Sequence, residues 1–355
     1  MKRTGKIIVI VLLAILGVFV VLAAIYHKAA YMTFRNLTAK KLKLDENDTN
    51  WDGGTSYVKV PYAADSDSQY LDLYVPENVE DPKLFVMVHG GGFIAGDSQT
   101  RQAQQMYRYF RDHGYACATV NYRLAQEEPF PGGLEDVKAA VRFLKSHARD
   151  YGYSIEHVAI WGESAGGYLA TMAALTNDEE FMSASYIGQE EDEAAGRQIS
   201  AKVDVLVDYY GVMELSGLSP MANDWKTLGI PTVVVDIANL WLRTDVIGDY
   251  PDVESYWMRK KADDWTEEEA ALAGAPYYIA ENLNESDLAI LIIHGDCDLT
   301  VPELQSERLY EQLTSEIGTD RVELWVIPDE GHAADMLYKD DLLDRVKTFI
   351  ETHVS

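Results

Sequence analysis

The chain has 355 residues, 58 acidic against 30 basic, for a formal net charge of −28. That balance argues against a nucleic-acid binder, which needs clustered Lys and Arg, and points to a self-repelling acidic surface. Two cysteines, Cys117 and Cys297, form neither a disulfide framework nor a zinc spacing. The length fits one large domain with insertions, since a single core stops growing at roughly 250–300 residues.

The first predicted element is residues 7–26, a run of 20 residues without a charge. As a helix it spans about 30 Å, the thickness of a bilayer core. We read residues 1–30 as an uncleaved signal anchor, because the apolar part of a cleaved leader is shorter, roughly 7–15 residues, and ends in a small-x-small site. A secreted chain after leader cleavage is the alternative. Lys2, Arg3 and Lys6 precede the run and Lys28, Arg35, Lys40, Lys41 and Lys43 follow it, so the positive-inside rule does not set the orientation. The leader-like start places the remainder outside the cytoplasm. Three N-x-[ST] sequons, at Asn36, Asn47 and Asn284, carry no further weight. Residues 38–50 are polar, lack aromatics and read as a tether or an exposed helix, within a linker over 31–54 that leads to a folded domain at 55–355.

Strand and helix patterns then alternate. Strands are predicted at 58–61, 70–75, 83–88, 116–122, 158–161, 203–209, 289–294 and 322–327. Helices are predicted at 101–113, 134–149, 168–175, 303–313 and 341–352. This spacing implies an α/β fold with a mostly parallel, twisted sheet and helices on both faces. Two stretches interrupt the alternation. Residues 176–200 carry seven Asp or Glu against Arg197 and read as a solvated surface excursion. Residues 212–288, rich in aromatics such as Trp225, Trp241, Trp257 and Trp265, are too long for a structureless loop. They are predicted to form a helical cap over the carboxyl edge of the sheet.

The chemistry-bearing motifs sit at strand ends. Gly162-Glu163-Ser164-Ala165-Gly166 fits G-x-S-x-G between a predicted strand and helix. There a tight bend lifts a serine hydroxyl above the sheet, and the amide after it opens a helix, where an oxyanion can be held. His89-Gly90-Gly91-Gly92-Phe93 follows the third strand. Three successive glycines are costly in any regular element, but they let amides turn toward a substrate oxygen. A serine nucleophile needs a general base. Of the eight histidines, His332 lies downstream on the loop after the last strand, whereas His294 ends a strand and is read as satisfying local backbone. Between strand and helix, His294-Gly295-Asp296-Cys297-Asp298 offers two aspartates as orienting acid, and Cys297 between them reads as an inert buried residue.

With these motifs the sequence resembles the α/β-hydrolase superfamily, in particular its hormone-sensitive-lipase-like and bacterial carboxylesterase branch. The likeness covers about residues 55–355 and includes Asn121-Tyr122-Arg123-Leu124, Pro129-Phe130-Pro131 and Leu134-Glu135-Asp136, which by that likeness build scaffold beneath the site. The resemblance implies an oxyanion hole of the Gly91, Gly92 and Ala165 amides. His89, Gly90, Gly162, Glu163 and Gly166 then act as supporting motif residues. The esterase pattern H-G-x-x-D-x-x-V-P selects Asp298 over Asp296, and is closer to feruloyl- and acetyl-xylan-esterase-like relatives. The chain order Ser164, Asp298, His332 matches the triad order of that fold. The expected activity is hydrolysis of short-chain acyl, acetyl or feruloyl esters, of small molecules or of a polysaccharide, with no metal and no cofactor. Two alternatives are a serine peptidase of the prolyl-oligopeptidase kind and a hydrolase-fold binding protein without turnover.

Overall fold

The computed structural model describes residues 51–215, 250, 253–261, 264–283, 287–298 and 300–354. The apolar run 7–26, nearly all of the expected linker, Trp225, Trp241 and the three sequons lie outside them. Among the described residues no helix is long and apolar enough to cross a membrane.

Eight strands form one sheet: β1 (Gly54–Pro61), β2 (Tyr70–Pro76), β3 (Lys83–Val88), β4 (Ala116–Val120), β5 (Ser154–Glu163), β6 (Val205–Tyr209), β7 (Ala289–Gly295) and β8 (Val322–Ile327), in the order β1-β2-β4-β3-β5-β6-β7-β8. β2 runs antiparallel to β1 and β4, and the other pairings are parallel. The strands account for this layout. β4, β6 and β7 are buried at every position, as strands covered on both faces must be. β8 has exposed positions at an edge of the sheet.

The helices are α1 (Arg101–Asp112), α2 (Gly132–Ser146), α3 (Ala148–Tyr151), α4 (Ala165–Leu175), α5 (Gln189–Ala194), α6 (Val253–Trp257), α7 (Glu267–Leu272), α8 (Ala275–Asn282), α9 (Leu304–Ile317) and α10 (Asp340–His353), with a 3-10 turn at Asp335–Tyr338. Successive side chains of β3 show how they cover the sheet. Leu84, Val86 and Val88 enter a core with Val137 and Val141 of α2, Leu169 of α4 and Leu309 of α9. Phe85 and Met87 enter a second core with Met106 and Phe110 of α1 and Val346 and Ile350 of α10. The period of two in the strand and the i, i+4 spacing on the helices generate both layers. The helix starts carry local signals as well. The Thr100 hydroxyl accepts from Ala103 N ahead of α1, and Thr266 and Glu269 close a capping box on α7.

Residues 176–200 are more than a solvated excursion, since they contain α5 and a buried anchor. Asp192 is 2% exposed and accepts from Ser146 Oγ and Tyr186 Oη, both at 2.6 Å, while pairing with Arg197. One carboxylate with three donors ties this acidic segment to the end of α2.

The strand order reverses around β3, with β4 on one side and β5 on the other. In an open α/β sheet the crevice beyond the carboxyl ends at such a point is where ligands bind. The loop His89–Phe93 and the bend at Ser164 both leave the sheet there.

Candidate active site

Ser164 has φ 52° and ψ −121°, a strained conformation for a residue with a side chain. The bend is held because the Ser164 amide donates to the Tyr209 carbonyl at 2.9 Å. Its glycines are required by space. A Cβ on Gly162 would lie 2.0 Å from the Gly166 carbonyl oxygen, and one on Gly166 would lie 2.2 Å from that of Val88.

His332 stands on the loop after β8, between the left-handed residues Asp329 and Ala333. Its Nε2 is 3.0 Å from Ser164 Oγ and its Nδ1 is 2.7 Å from Asp298 Oδ2. With the proton on Nδ1 donated to the carboxylate, Nε2 accepts the serine hydroxyl. The His332 side chain is 19% exposed and that of Asp298 only 1%, so the chain of hydrogen bonds opens to solvent at His332 and is closed at Asp298. Gly295 makes this possible, because a Cβ there would sit 2.3 Å from the Glu330 carbonyl oxygen, and without one the two loops pack backbone to backbone.

Burial alone would raise the Asp298 carboxyl. The charge and hydrogen bonds of His332 and His294 outweigh it and hold the group well below the usual carboxylate range. Asp298 Oδ1 also accepts the Thr300 and Val301 amides, at 2.7 and 3.0 Å. Asp296 is exposed and accepts the Asp329 amide at 2.7 Å, a turn-stabilising contact. Cys297 is half-buried rather than buried, which corrects the expectation for it. Asp296, Cys297 and Asp329 bring two carboxylates and a thiol within 4.8 Å of one another, a donor set of metal-binding type at the surface.

The triple-glycine loop abuts the serine bend, since a Cβ on Gly90 would lie 2.9 Å from the Glu163 carbonyl oxygen and 3.3 Å from Ser164 Cβ. Gly91, Gly92 and Phe93 have φ values of 122°, 59° and 62°. The loop then turns back through bonds from the Ile94 and Ala95 amides to the Gly91 carbonyl. Ala165 opens α4, whose first amides lack intrahelical acceptors. The His89 ring is buried, stacks on Tyr122 and lies 2.7 Å from the Gly90 carbonyl through Nδ1. Burial lowers its pKa to about 4, which keeps it neutral. Tyr122 Oη donates to the His89 carbonyl at 3.0 Å, and Arg123 grips Asp136, so the 121–136 stretch does lie under this loop as scaffold.

Several contributors carry no linear motif. Tyr210 sets its ring 4.6 Å from that of His332 and donates to Glu163 Oε2 at 2.7 Å, with Tyr338 donating to the same oxygen at 3.1 Å. Burial raises the Glu163 carboxyl despite those phenols and the nearby His332. His294 is buried; its Nε2 donates to the Val301 carbonyl at 3.0 Å and lies 3.3 Å from Asp298 Oδ2, so it borders the acid as well as local backbone. Asp208, buried on β6, accepts the Gly211 amide through Oδ1, while its Oδ2 has no partner among the described residues. Burial pushes its pKa up to about 7, against the opposing charge of His294. A cavity of about 390 Å³ lined by Arg142, Asp178, Tyr186, Gln189, Glu193 and Arg197 shares no residue with these groups.

Solved structures with the same architecture include a truncated carbohydrate esterase from gut microbiota, with a TM-score of 0.67 at 22% identity over 85% of this chain and 98% of that one. Another is esterase B from Lactobacillus rhamnosis, at 0.61 and 19% over 95% and 93%. The fold is thus the α/β-hydrolase fold. The BD-FAE family model matches residues 71–313, and the chain belongs to that family, within the esterase branch of the superfamily. Among curated relatives, the probable carboxylic ester hydrolase LipM of Mycobacterium tuberculosis is 31% identical over 44% of this chain and 36% of its own length. Esterase LipC of the same organism is 23% identical over 77% and 59%. The chain therefore spans between about a third and three-fifths of these relatives.

Proposed function

We propose that this chain is a serine carboxylic-ester hydrolase with Ser164 as nucleophile, His332 as general base and Asp298 as orienting acid. The observation that carries the reading is the continuous relay Ser164 Oγ–His332 Nε2, His332 Nδ1–Asp298 Oδ2, at 3.0 and 2.7 Å, beside a triple-glycine loop. His332 takes the serine proton as Oγ attacks the ester carbonyl, and Asp298 stabilises the imidazolium. The Gly91, Gly92 and Ala165 amides receive the oxyanion, each such donor being worth roughly 10²–10³ in rate. His332 returns the proton to the leaving alkoxide, and water, deprotonated by the same base, releases the acid. Tyr210, fixed by Glu163, packs its ring against the imidazole and helps to hold it in place.

Short acyl, acetyl or feruloyl esters are the proposed substrates, borne by a small molecule or a polysaccharide. The BD-FAE match and the gut carbohydrate esterase support this reading. We further propose that residues 7–26 anchor the chain, with residues 31–54 as tether and 212–288 as cap, and that the catalytic domain lies outside the cytoplasm. The test is a p-nitrophenyl ester series of increasing chain length, run beside acetylated xylan, methyl ferulate and a chromogenic dipeptide. Cleavage of short esters with no dipeptide turnover is expected. Dipeptide cleavage would point to a peptidase, and no turnover at all to a binding protein.

A further inference from the structure

Phe93 closes the oxyanion loop with φ 62°. A bulky residue in that region is strained, and it persists only when its surroundings hold it there. Here the surroundings come from the insertion between β6 and β7. The Trp257 ring lies on the Phe93 ring at 3.9 Å between centroids and 7° between planes. Tyr168, one turn beyond Ser164 on α4, meets both rings edge-on and donates through Oη to the Ala273 carbonyl at 3.0 Å. Backbone contacts run along the same path. Ala125 N donates to the Phe93 carbonyl at 2.8 Å, Phe130 N to the Trp257 carbonyl at 3.0 Å, and the Arg259 guanidinium to the Ala125 carbonyl. Trp257 and Phe93 are 1% and 2% exposed, so the stack is a buried plug with no open face.

We propose that Trp257 is a positioning residue for the oxyanion hole. Its ring keeps Phe93 in the left-handed conformation, and Phe93 in turn keeps the Gly91 and Gly92 amides aimed at the oxyanion. The inference rests on the ester-hydrolase reading above. It makes docking of the insertion a condition for transition-state stabilisation, because without the stack Phe93 relaxes and the two amides turn with it.

The experiment measures kcat and KM for p-nitrophenyl butyrate, and affinity for an alkyl trifluoromethyl ketone, whose tetrahedral adduct places an oxyanion in the hole. The full-length chain is compared with four variants. Trp257→Leu should lose about 10²-fold in kcat, the scale of a misplacement of about 1 Å, with KM within about threefold and ketone affinity falling in parallel. Trp257→Phe, which keeps an aromatic face, should recover most of the loss. Arg259→Ala removes an exposed guanidinium that donates to the Ala125 carbonyl, and should lower kcat several-fold at unchanged KM. Tyr278→Leu removes an equally buried aromatic of the insertion whose ring contacts are with Phe181 and Tyr277 rather than with Phe93 or Trp257, and should lower Tm while leaving kcat within about twofold. A folded Trp257→Leu with wild-type kcat, an Arg259→Ala with none of the loss, or a Tyr278→Leu as impaired as Trp257→Leu would each overturn the proposal. Failure of the hydrolase reading is distinguishable, because the unmutated chain would then cleave no ester.

Discussion

Asp298→Asn separates the proposed acid from its neighbour two residues away. Its Oδ1 accepts two amides, at 2.7 and 3.0 Å, and an asparagine oxygen would keep that position. The amide nitrogen then replaces Oδ2 and faces His332 Nδ1 at 2.7 Å, donor against donor. The imidazole escapes the clash by moving its proton to Nε2, where it meets the Ser164 hydroxyl and can no longer accept from it. A triad locked in the wrong tautomer loses roughly 10⁴ in kcat, about 5–6 kcal/mol of barrier at roughly 1.4 kcal/mol per tenfold. Asp296→Asn retains an oxygen for the Asp329 amide on an exposed turn and should stay within about twofold, as surface changes usually do. The assay is steady-state turnover of a p-nitrophenyl ester by both variants, with thermal melts to show that each is folded. A loss under tenfold in a folded Asp298→Asn, or a larger loss in Asp296→Asn, would refute the tautomer argument and move the acid.

Three further outcomes are expected. Ser164→Ala should fold normally and drop to the residual rate that binding and an oxyanion hole provide, roughly 10³–10⁴ over water; near-normal turnover in a clean preparation would remove Ser164 from the mechanism. Asp208, with a folded pKa raised to about 7 against about 3.9 unfolded, stabilises the fold fully below the unfolded value and loses that contribution as pH rises toward 7. Asp208→Asn should therefore be more stable than the parent at pH 8 by on the order of a few kcal/mol, with the gap closing toward pH 4; a pH-independent gap in denaturant titrations contradicts this. The full-length chain should partition with membranes and leave them in detergent but not in high salt, because apolar insertion is not screened by ions. Release by salt, or a mature N-terminus beyond residue 20, would defeat the anchor reading.

The sheet was legible because buried parallel strands are short apolar runs between turn signals, and all eight expected runs are strands. Boundaries failed where burial and backbone pairing part company. β5 starts at Ser154, where Lys83 pairs with it across a register shift, although the apolar run begins only at Val158. α4 starts at Ala165 because Gly166 and Gly167 sit in helix for reasons of space, a Cβ on Gly167 falling 2.5 Å from Asp208 Oδ1. The residues of the relay were readable as motif and chain order. The choice between Asp296 and Asp298 was not readable from residue type, since it turns on burial: two identical side chains, one exposed and one closed from water. Tyr210, Tyr338 and Trp257 escaped because their contacts join elements far apart in sequence, and an aromatic residue in a linear string gives no sign of its partner.

Environment, more than residue type, divides the work among the acids here. Three carboxylates, Asp298, Glu163 and Asp208, are buried close to two imidazoles. Asp298 has two amides and two imidazoles around it, so its ionised form is favoured despite burial. Glu163 has two phenols on one oxygen and a raised pKa. Asp208 has one amide and an oxygen with no partner among the described residues, which suits the neutral acid. Of the three, only Asp298 holds its negative charge below the usual carboxylate range while hydrogen-bonded to His332. In the proposed mechanism, a base that must become an imidazolium in the transition state is best served by a partner whose charge is already fixed, because no reorganisation is then needed as the proton arrives. The other two carboxylates serve by holding shape, Glu163 through the Tyr210 ring and Asp208 through the Gly211 turn.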